Sequence, residues 1–427
     1  MPAASDFEHA FAQFRAGELG AATQLAVAAW IKSPDARTAT LLALIAEREA
    51  RLDDASAWLR RASDLDPRNA SIAHQLGTTL SALDRHTEAE AAWRRALALA
   101  PERGATWLAL GQSLLARSDD GADILAGLTA LRKAARFEAT HDAAAAAFVD
   151  GIRHVPLPGA MAHVDEADTG RSDKLLSVVM CTVDRRRAER AVASYAAALA
   201  PVAHEIVVVD APSSLGAGYA EGLRRSRGDV VVFAHDDTEI VVEGFEPRLR
   251  AHLGRCDVVG IAGATDVRGP AWAQAGHPFL HGAVGYATGD RFEAHVYSTS
   301  GPLVLDAKVL DGVLIAMRRG VASQVGWEAS AWAGFHGYDI DFCLRARKAG
   351  LRLGVAADLG VLHHSSGAFD ERWEAVAREL MRRWPELTQP VSERTFAFAH
   401  ECGDRRALGN YFRGLRAALD ALDRVAA

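Results

Sequence analysis

The chain has 427 residues, a length that suits two or three domains, and 49% of them are hydrophobic, enough to bury more than one core. A formal net charge of -7 argues against non-specific binding to nucleic acid. The four cysteines, Cys181, Cys256, Cys343 and Cys402, form no C-x-x-C pair, which argues against a cysteine-built zinc site or a disulfide framework and fits a reducing compartment. The opening "MPAASDFEHAFAQF" carries acids where a signal peptide needs an apolar run, and no apolar run is long enough to span a bilayer. The expectation is a soluble, cytoplasmic protein without a transmembrane segment, with peripheral contact to a membrane left open.

The first third is rich in Ala, Leu and Arg. Its prolines Pro34, Pro67 and Pro101 are spaced by 33 and 34 residues. Between them Leu76, Gly77, Leu80, Ala89, Trp93, Ala96 and Pro101 repeat the offsets of Leu42, Ala43, Ala46, Ala55, Leu59, Ala62 and Pro67. Trp107, Leu110, Gly111 and Leu114 open a third copy, which reads as stretched by an insertion around "RSDDGADILAG". Each unit is expected to be two amphipathic helices, brought close by small residues such as Gly77 and Ala89 and ended by the proline. This period resembles tetratricopeptide repeats over residues 36 to 140, with residues 3 to 35 as a weaker capping copy. The resemblance implies a concave face for a peptide or partner chain, or a module for self-association.

Residues 151–173, a mixture of Pro, Gly and acids, read as a linker. The texture then changes to β-branched runs, "LLSVVMCTV", "HEIVVVDAP" and "DVVVFAHDD", separated by helical stretches. Alternating strands and helices predict βαβ units and a mostly parallel sheet covered on both faces. Ligands of such sheets bind at the carboxyl ends of the strands. One rim thus gathers Thr182 and Asp184, Asp210 and Ser213, and Asp236 and Asp237, a set suited to a polar, phosphorylated ligand. Neither a G-x-G-x-x-G after the first strand nor a Walker A motif is present, which disfavours a dinucleotide or P-loop fold.

With those residues in view, residues 175 to 370 resemble a GT-A glycosyltransferase close to family 2. The resemblance rests on five segments in the family's order: "SVVMCTVDR", "IVVVDAPSS", the run ending in "FAHDD", "GFHGYDIDFCLRARKAGLRLGV" and "GVLHHSSGAF". It is nearest a bacterial subgroup of the streptomycin-biosynthesis type, in which His-Asp-Asp stands where others have Asp-x-Asp. The fold class this implies is α + α/β: helical repeats over 1–150, the linker, a Rossmann-like GT-A domain over 174–385 and a helical tail over 386–427.

The resemblance also implies a chemistry. A nucleotide sugar leaves as a diphosphate, and a divalent cation, Mn2+ or Mg2+, stabilises that charge. Carboxylates suit such cations, and Mn2+ accepts imidazole. Asp237 then falls at the metal-binding end of Asp-x-Asp, Asp236 at its middle, and His235 in place of the first aspartate. Thr182, Asp184, Asp210, Ser213 and Asp236 are expected on the nucleotide. Either His363 or His364 is expected to complete the metal site. Asp339 and Asp341 are carried as the catalytic carboxylates, Asp339 as the base for an inverting transfer and Asp341 in support of a loop or helix start; Tyr338 replaces the family's glutamate. Asp311 and Gly312, from "DGVLIAMRRG", and His336 are placed on the acceptor side. Arg318 and Arg319 face either diphosphate or solvent, and "GPAWAQAGHPFLHGAVGYATGD" (269–290) is a lid or a surface loop.

The expected activity is transfer of a sugar from a nucleotide donor, UDP-linked by default, to a protein or glycan acceptor, the repeats recruiting acceptor or partner. The rival reading is a repeat scaffold carrying a degenerate nucleotide-sugar-binding domain, suggested by the changed first Asp and by Tyr338. Residues 404–425 form an amphipathic helix, with Phe412, Leu415, Leu419 and Leu422 on one face, that either packs on its own domain or lies on a membrane.

Overall fold

The computed structural model describes residues 6–117, 120–155, 174–200, 202–297, 301–329, 332, 335–365, 370–391 and 397–426. The chain divides into two compact units, Met1–Gly151 and Ile152–Ala427. Most of the expected linker, 156–173, lies outside the described residues.

In the first unit α1 (Asp6–Ala16) packs with α2 (Leu19–Lys32), α3 (Ala36–Arg48) with α4 (Leu52–Leu65), α5 (Ala70–Ala82) with α6 (His86–Leu99) and α7 (Gly104–Arg117) with α8 (Gly121–Ala134); α9 (His141–Gly151) lies against α8. Asp35 and Asn69 cap α3 and α5 by accepting backbone N–H groups of the first turn. The prolines follow the ends of α2, α4 and α6, as the repeat spacing requires. Gly77 meets the tight approach expected of it: a Cβ there would lie 2.6 Å from the Trp93 ring. The insertion expected in the third pair amounts to one residue, because α8 starts that much later after α7 than α6 does after α5.

The second unit opens with β1 (Leu176–Thr182), α10 (Arg185–Leu199), β2 (His204–Asp210), α11 (Leu215–Arg225) and β3 (Val230–His235). β1 pairs in parallel with both β2 and β3. There follow β4 (Thr238–Ile240), α12 (Phe245–Leu253), β5 (Val258–Gly260), β6 (Ala262–Ala264), β7 (Leu280–Thr288), β8 (Arg291–Val296), β9 (Leu303–Ala307), β10 (Val309–Leu310) and β11 (Leu314–Arg318). Then come α13 (Arg319–Val325), α14 (Tyr338–Lys348), β12 (Leu353–Ala356), β13 (Val361–His363), α15 (Glu371–Arg383), β14 (Phe398–Cys402) and α16 (Arg405–Ala426). The main sheet runs β2-β1-β3-β11-β5-β12-β9 and the second β10-β6-β7-β13-β4, with β8 and β14 extending from β7.

The main sheet is mostly parallel but mixed: β2, β1, β3, β5 and β12 run in one direction, and β11 and β9 run against them, β11 for a topological reason. β10 belongs to the second sheet, and the chain turns through Asp311 and Gly312 straight into β11. β11 therefore enters the main sheet at the carboxyl end of β3, Leu314 opposite Ala234, and must run antiparallel to it. The same entry lays the Asp311–Val313 turn beside His235, whose N–H donates to the Val313 carbonyl (3.1 Å). Within the 269–290 stretch, Leu280–Thr288 is strand rather than loop: it forms β7, between β6 and β13. The tail packs on its own unit, burying Leu408, Phe412, Leu415, Leu419 and Leu422. Among the described residues no helix is long and apolar enough to cross a membrane.

Candidate active site

Parallel pairing sets the rim. Cys181 lies opposite His235 and Thr182 opposite Asp210, so three strands end level. Thr182 Oγ1 donates to Asp236 Oδ2 (2.5 Å), joining the first and third strand ends. Burial raises the Asp236 carboxyl, opposed by that hydrogen bond and by Arg187. Asp210 is exposed and pairs with Arg185 (2.7 Å), and Ser213 is exposed on the loop that follows. Asp184 commits Oδ1 to capping α10, accepting from Arg186 N at 3.0 Å.

The turn after β3 carries Asp236 and Asp237 into β4, and Thr238 Oγ1 closes it by donating to the His235 carbonyl (2.8 Å). β4 pairs with β13, His363 opposite Thr238, which delivers a histidine to the acids. His363 Nε2 lies 3.3 Å from Asp237 Oδ1 and 3.4 Å from His235 Nδ1. Coordinating atoms of these three residues lie within 4.8 Å of one another. Asp237 Oδ2 is buried and accepts no hydrogen bond. Burial lifts the Asp237 carboxyl, but hydrogen bonds from His363 and Ser365 outweigh it and hold the group well below the usual carboxylate range. Burial, with the neighbouring His363, lowers His235 to about 4, so its imidazole is neutral near pH 7. His235 Nε2 meets the Tyr338 hydroxyl at 2.8 Å, a contact that orients the ring and points Nδ1 into the cluster.

These residues fit a divalent cation. Neighbouring ligand atoms around an octahedral ion with bonds of about 2.1 Å lie about 3 Å apart, close to the spacings from His363 to its two partners. The donor set, two imidazoles and one carboxylate, suits Mn2+ better than Mg2+. His364 stands apart: its Nε2 pairs with Glu239 (2.7 Å), so only its backbone, donating to the Asp237 carbonyl (3.0 Å), supports the cluster.

The opposite wall comes from the Asp311–Gly312 turn and the start of α14. Gly312 must lack a side chain, since a Cβ there would sit 2.1 Å from the Tyr338 hydroxyl. Its N–H donates to Asp339 Oδ2 (3.1 Å), and Ile340 N donates to Oδ1 (2.9 Å). Burial, and the Asp311 charge beside it, push Asp339 up to about 7. Burial raises Asp311 as well. Asp341, carried with Asp339 as a carboxylate in support of a loop or helix start, sits in the first turn of α14 among structural partners. It is fully buried and receives Arg345 Nε (2.8 Å), Trp384 Nε1 (3.0 Å) and Arg383 Nε (3.2 Å), so it holds α14 to the end of α15. His336, half-buried, is not among the residues gathered with His235, Asp237 and His363.

Residues 177–383 match the model of a glycosyltransferase-like family. The second unit contains a glycosyltransferase-like domain. The chain is also similar to "ATP synthase subunits region ORF 6" of Fuscovulum blasticum, 27% identical over 173 residues. That match takes in 38% of this chain and 63% of the relative, less than two thirds of its length. Among solved structures the chain is similar to MamA AMB-1 (24% identical, 31% of this chain and 72% of that one, TM-score 0.29). It is similar also to PilF of Pseudomonas aeruginosa (21%, 34% and 66%, TM-score 0.31) and to YrrB, described as a TPR protein with an unusual peptide-binding site (16%, 34% and 74%, TM-score 0.31). The tetratricopeptide character of the first unit stands on its own helix pairs and their period.

Sequence reasoning missed three parts of the glycosyltransferase-like domain's site. Arg187 reaches Asp237 Oδ2 (3.5 Å) and Asp236 Oδ1 (3.9 Å); its place just past the end of β1, in the first turn of α10, was a usable signal. Ser214, not Ser213, is the loop's structural serine, capping α11 through Ala217 N (3.1 Å). The third part is an aromatic wall, Tyr286 on β7 beside His363 (ring centroids 5.9 Å), with Trp272 against Tyr297 (5.0 Å). Only the pairing of β13 with β7 brings it there. Arg319 is half-buried and donates to Gly228 O (2.7 Å) and Ser226 Oγ (2.7 Å), tying α13 to the turn before β3.

Proposed function

We propose that the protein is a metal-dependent, inverting glycosyltransferase that moves a sugar from a nucleotide donor to a protein or glycan acceptor, with the repeats recruiting the acceptor or a partner. The observation that carries this reading is the buried Asp237 Oδ2, which accepts no hydrogen bond, set against His235 and His363 in a domain that matches a glycosyltransferase-like family. A divalent cation held by Asp237, His363 and His235 would neutralise the charge that builds on the leaving diphosphate. Thr182, Asp236 and Asp210 would hold the nucleoside at the strand ends. Asp339 is the base: raised to about 7, it takes the proton of the acceptor hydroxyl, whose oxygen attacks the anomeric carbon from the face opposite the diphosphate. Gly312 N–H holds Asp339 Oδ2 in place, and the Tyr338 hydroxyl holds His235, so one short segment positions both base and metal ligand. Asp311 and the Tyr286 wall border the acceptor side. In the repeats, a cavity of about 290 Å³ opens between the first helices of successive pairs, lined by Phe7, Phe11, Arg37, Leu44, Ile72 and Gln75, and is the place for a recruited segment.

The test is a thermal-shift screen of nucleotide sugars with Mn2+ and Mg2+, followed by donor hydrolysis. Mn2+-dependent binding of one nucleotide class is expected. Asp237→Asn should remove Mn2+ binding and lower hydrolysis about 10³-fold. Hydrolysis that survives Asp237→Asn would remove the metal assignment, and a protein that binds no nucleotide sugar under any metal would be a repeat scaffold instead.

A further inference from the structure

Arg187 sits in the first turn of α10, which Asp184 fixes by accepting the N–H groups of Arg186 and Arg187. From there its guanidinium turns back over the rim to Asp237 Oδ2 (3.5 Å) and Asp236 Oδ1 (3.9 Å). Both distances exceed the roughly 2.7–2.9 Å of a charge-assisted hydrogen bond. The side chain is 38% exposed. The guanidinium thus balances the two carboxylates without being locked to either. Each carboxylate has its other oxygen engaged, Asp236 Oδ2 by Thr182 and Asp237 Oδ1 by His363. What faces Arg187 is Asp237 Oδ2, a buried oxygen that accepts no hydrogen bond, on a side chain only 3% exposed.

A divalent cation on that oxygen and a guanidinium beside it repel each other. A diphosphate changes the sign of the site: its oxygens match the guanidinium fork and release it from Asp237. We propose that Arg187 is a diphosphate-binding side chain that neutralises Asp237 until the diphosphate arrives, so that cation and nucleotide sugar enter together. The inference rests on the metal reading of Asp237 given above. Because coupling between two ligands is reciprocal, the diphosphate tightens the cation as much as the cation tightens the diphosphate.

The experiment uses the full chain, Mn2+ alone followed by electron paramagnetic resonance, and Mn2+ with inorganic pyrophosphate followed by calorimetry. Pyrophosphate carries the diphosphate without committing to a base. Arg187→Gln should bind Mn2+ alone about fivefold more tightly and the Mn2+–pyrophosphate pair about tenfold more weakly. Arg187→Lys keeps the charge and loses the fork, so Mn2+ alone should bind as in the parent while pyrophosphate still weakens. Asp237→Asn is the control and should abolish Mn2+ binding. If Arg187→Gln binds Mn2+ alone no more tightly while the control behaves as expected, Arg187 has no such role and the metal reading stands. If Asp237→Asn leaves Mn2+ binding unchanged, the metal reading falls and this inference with it.

Discussion

The helical unit and the glycosyltransferase-like unit are held together at different distances along the chain. In the first, the defining contacts are local: Asn69 accepts from Ile72 N, and Gly77 lets Trp93 close over its own helix pair. In the second, the site joins Thr182 to Asp236 across 54 residues, His235 to Tyr338 across 103 and His235 to His363 across 128. Repeats need only their neighbours, so a lesion there should weaken one pair and what stacks on it. The site is a product of sheet topology, so lesions there should separate cleanly into those that unfold the unit and those that only stop chemistry.

Two aspartates at the start of α14 test that separation. Asp341→Ala strips the partner from Arg345, Arg383 and Trp384 in a buried setting and should cost about 3–5 kcal/mol in urea unfolding. A loss under about 1 kcal/mol would break the structural assignment of Asp341. Asp339→Asn, two residues away, should leave the melting temperature within a few degrees and lower kcat about 10²- to 10³-fold with KM little changed. The parent's kcat/KM should rise with pH and level off above about 7, because the base must be deprotonated. The stability sign is opposite. The folded unit holds the Asp339 proton more tightly than the unfolded chain, whose aspartates titrate near 4. Its contribution is therefore fully present below about 4 and lost as pH rises through about 7. A pH-independent rate across that range would remove Asp339 as the base.

The same contrast explains what could be read beforehand. Period, caps and close-packed glycines of the repeats are written within single stretches of 34 residues, and the βαβ start is written in its alternating runs. His235, Asp236 and Asp237 announce themselves because a buried strand stops on them. The choice between His363 and His364 was not legible, since it depends on which one β13 turns toward the cluster and which toward Glu239. The supporting role of Asp341 was legible, but its partner was hidden for a similar reason: Trp384 arrives from the far end of α15, 43 residues on. The mixed sheet was equally hidden, because strand runs carry no sign of direction until the short β10 fixes where β11 enters.

In the repeats, smaller effects are expected and they should be additive. Gly77→Ala sets two terms against each other. Alanine favours a helix over glycine by about 1 kcal/mol, while overpacking a closed contact costs about 1–3 kcal/mol. Trp93 is 3% exposed and its ring would lie 2.6 Å from the new Cβ, so overpacking wins. The variant should lose about 1 kcal/mol net, read from urea unfolding by tryptophan fluorescence. A stabilised variant would mean that the α5–α6 pair has slack.

The least disruptive change gives the cleanest reading of local control. Asn69 Oδ1 accepts from Ser71 N (3.0 Å) and Ile72 N (3.3 Å), while its Nδ2 donates to Asp66 Oδ2 (2.9 Å). One side chain therefore starts α5 and ties it to the turn after α4. Asn69→Ala removes both functions and should cost about 1 kcal/mol. Asn69→Asp keeps the acceptor that the N–H groups need, and its negative charge suits the helix start, but it sets a carboxylate against Asp66. Recovery in the aspartate variant assigns the cost to the cap. Continued loss assigns it to the Asp66 contact, in which case the turn between pairs, rather than the helix start, is what the repeat sequence protects at this position. Hydrogen exchange at Ser71 and Ile72 distinguishes the two, since loss of the cap exposes those amides first.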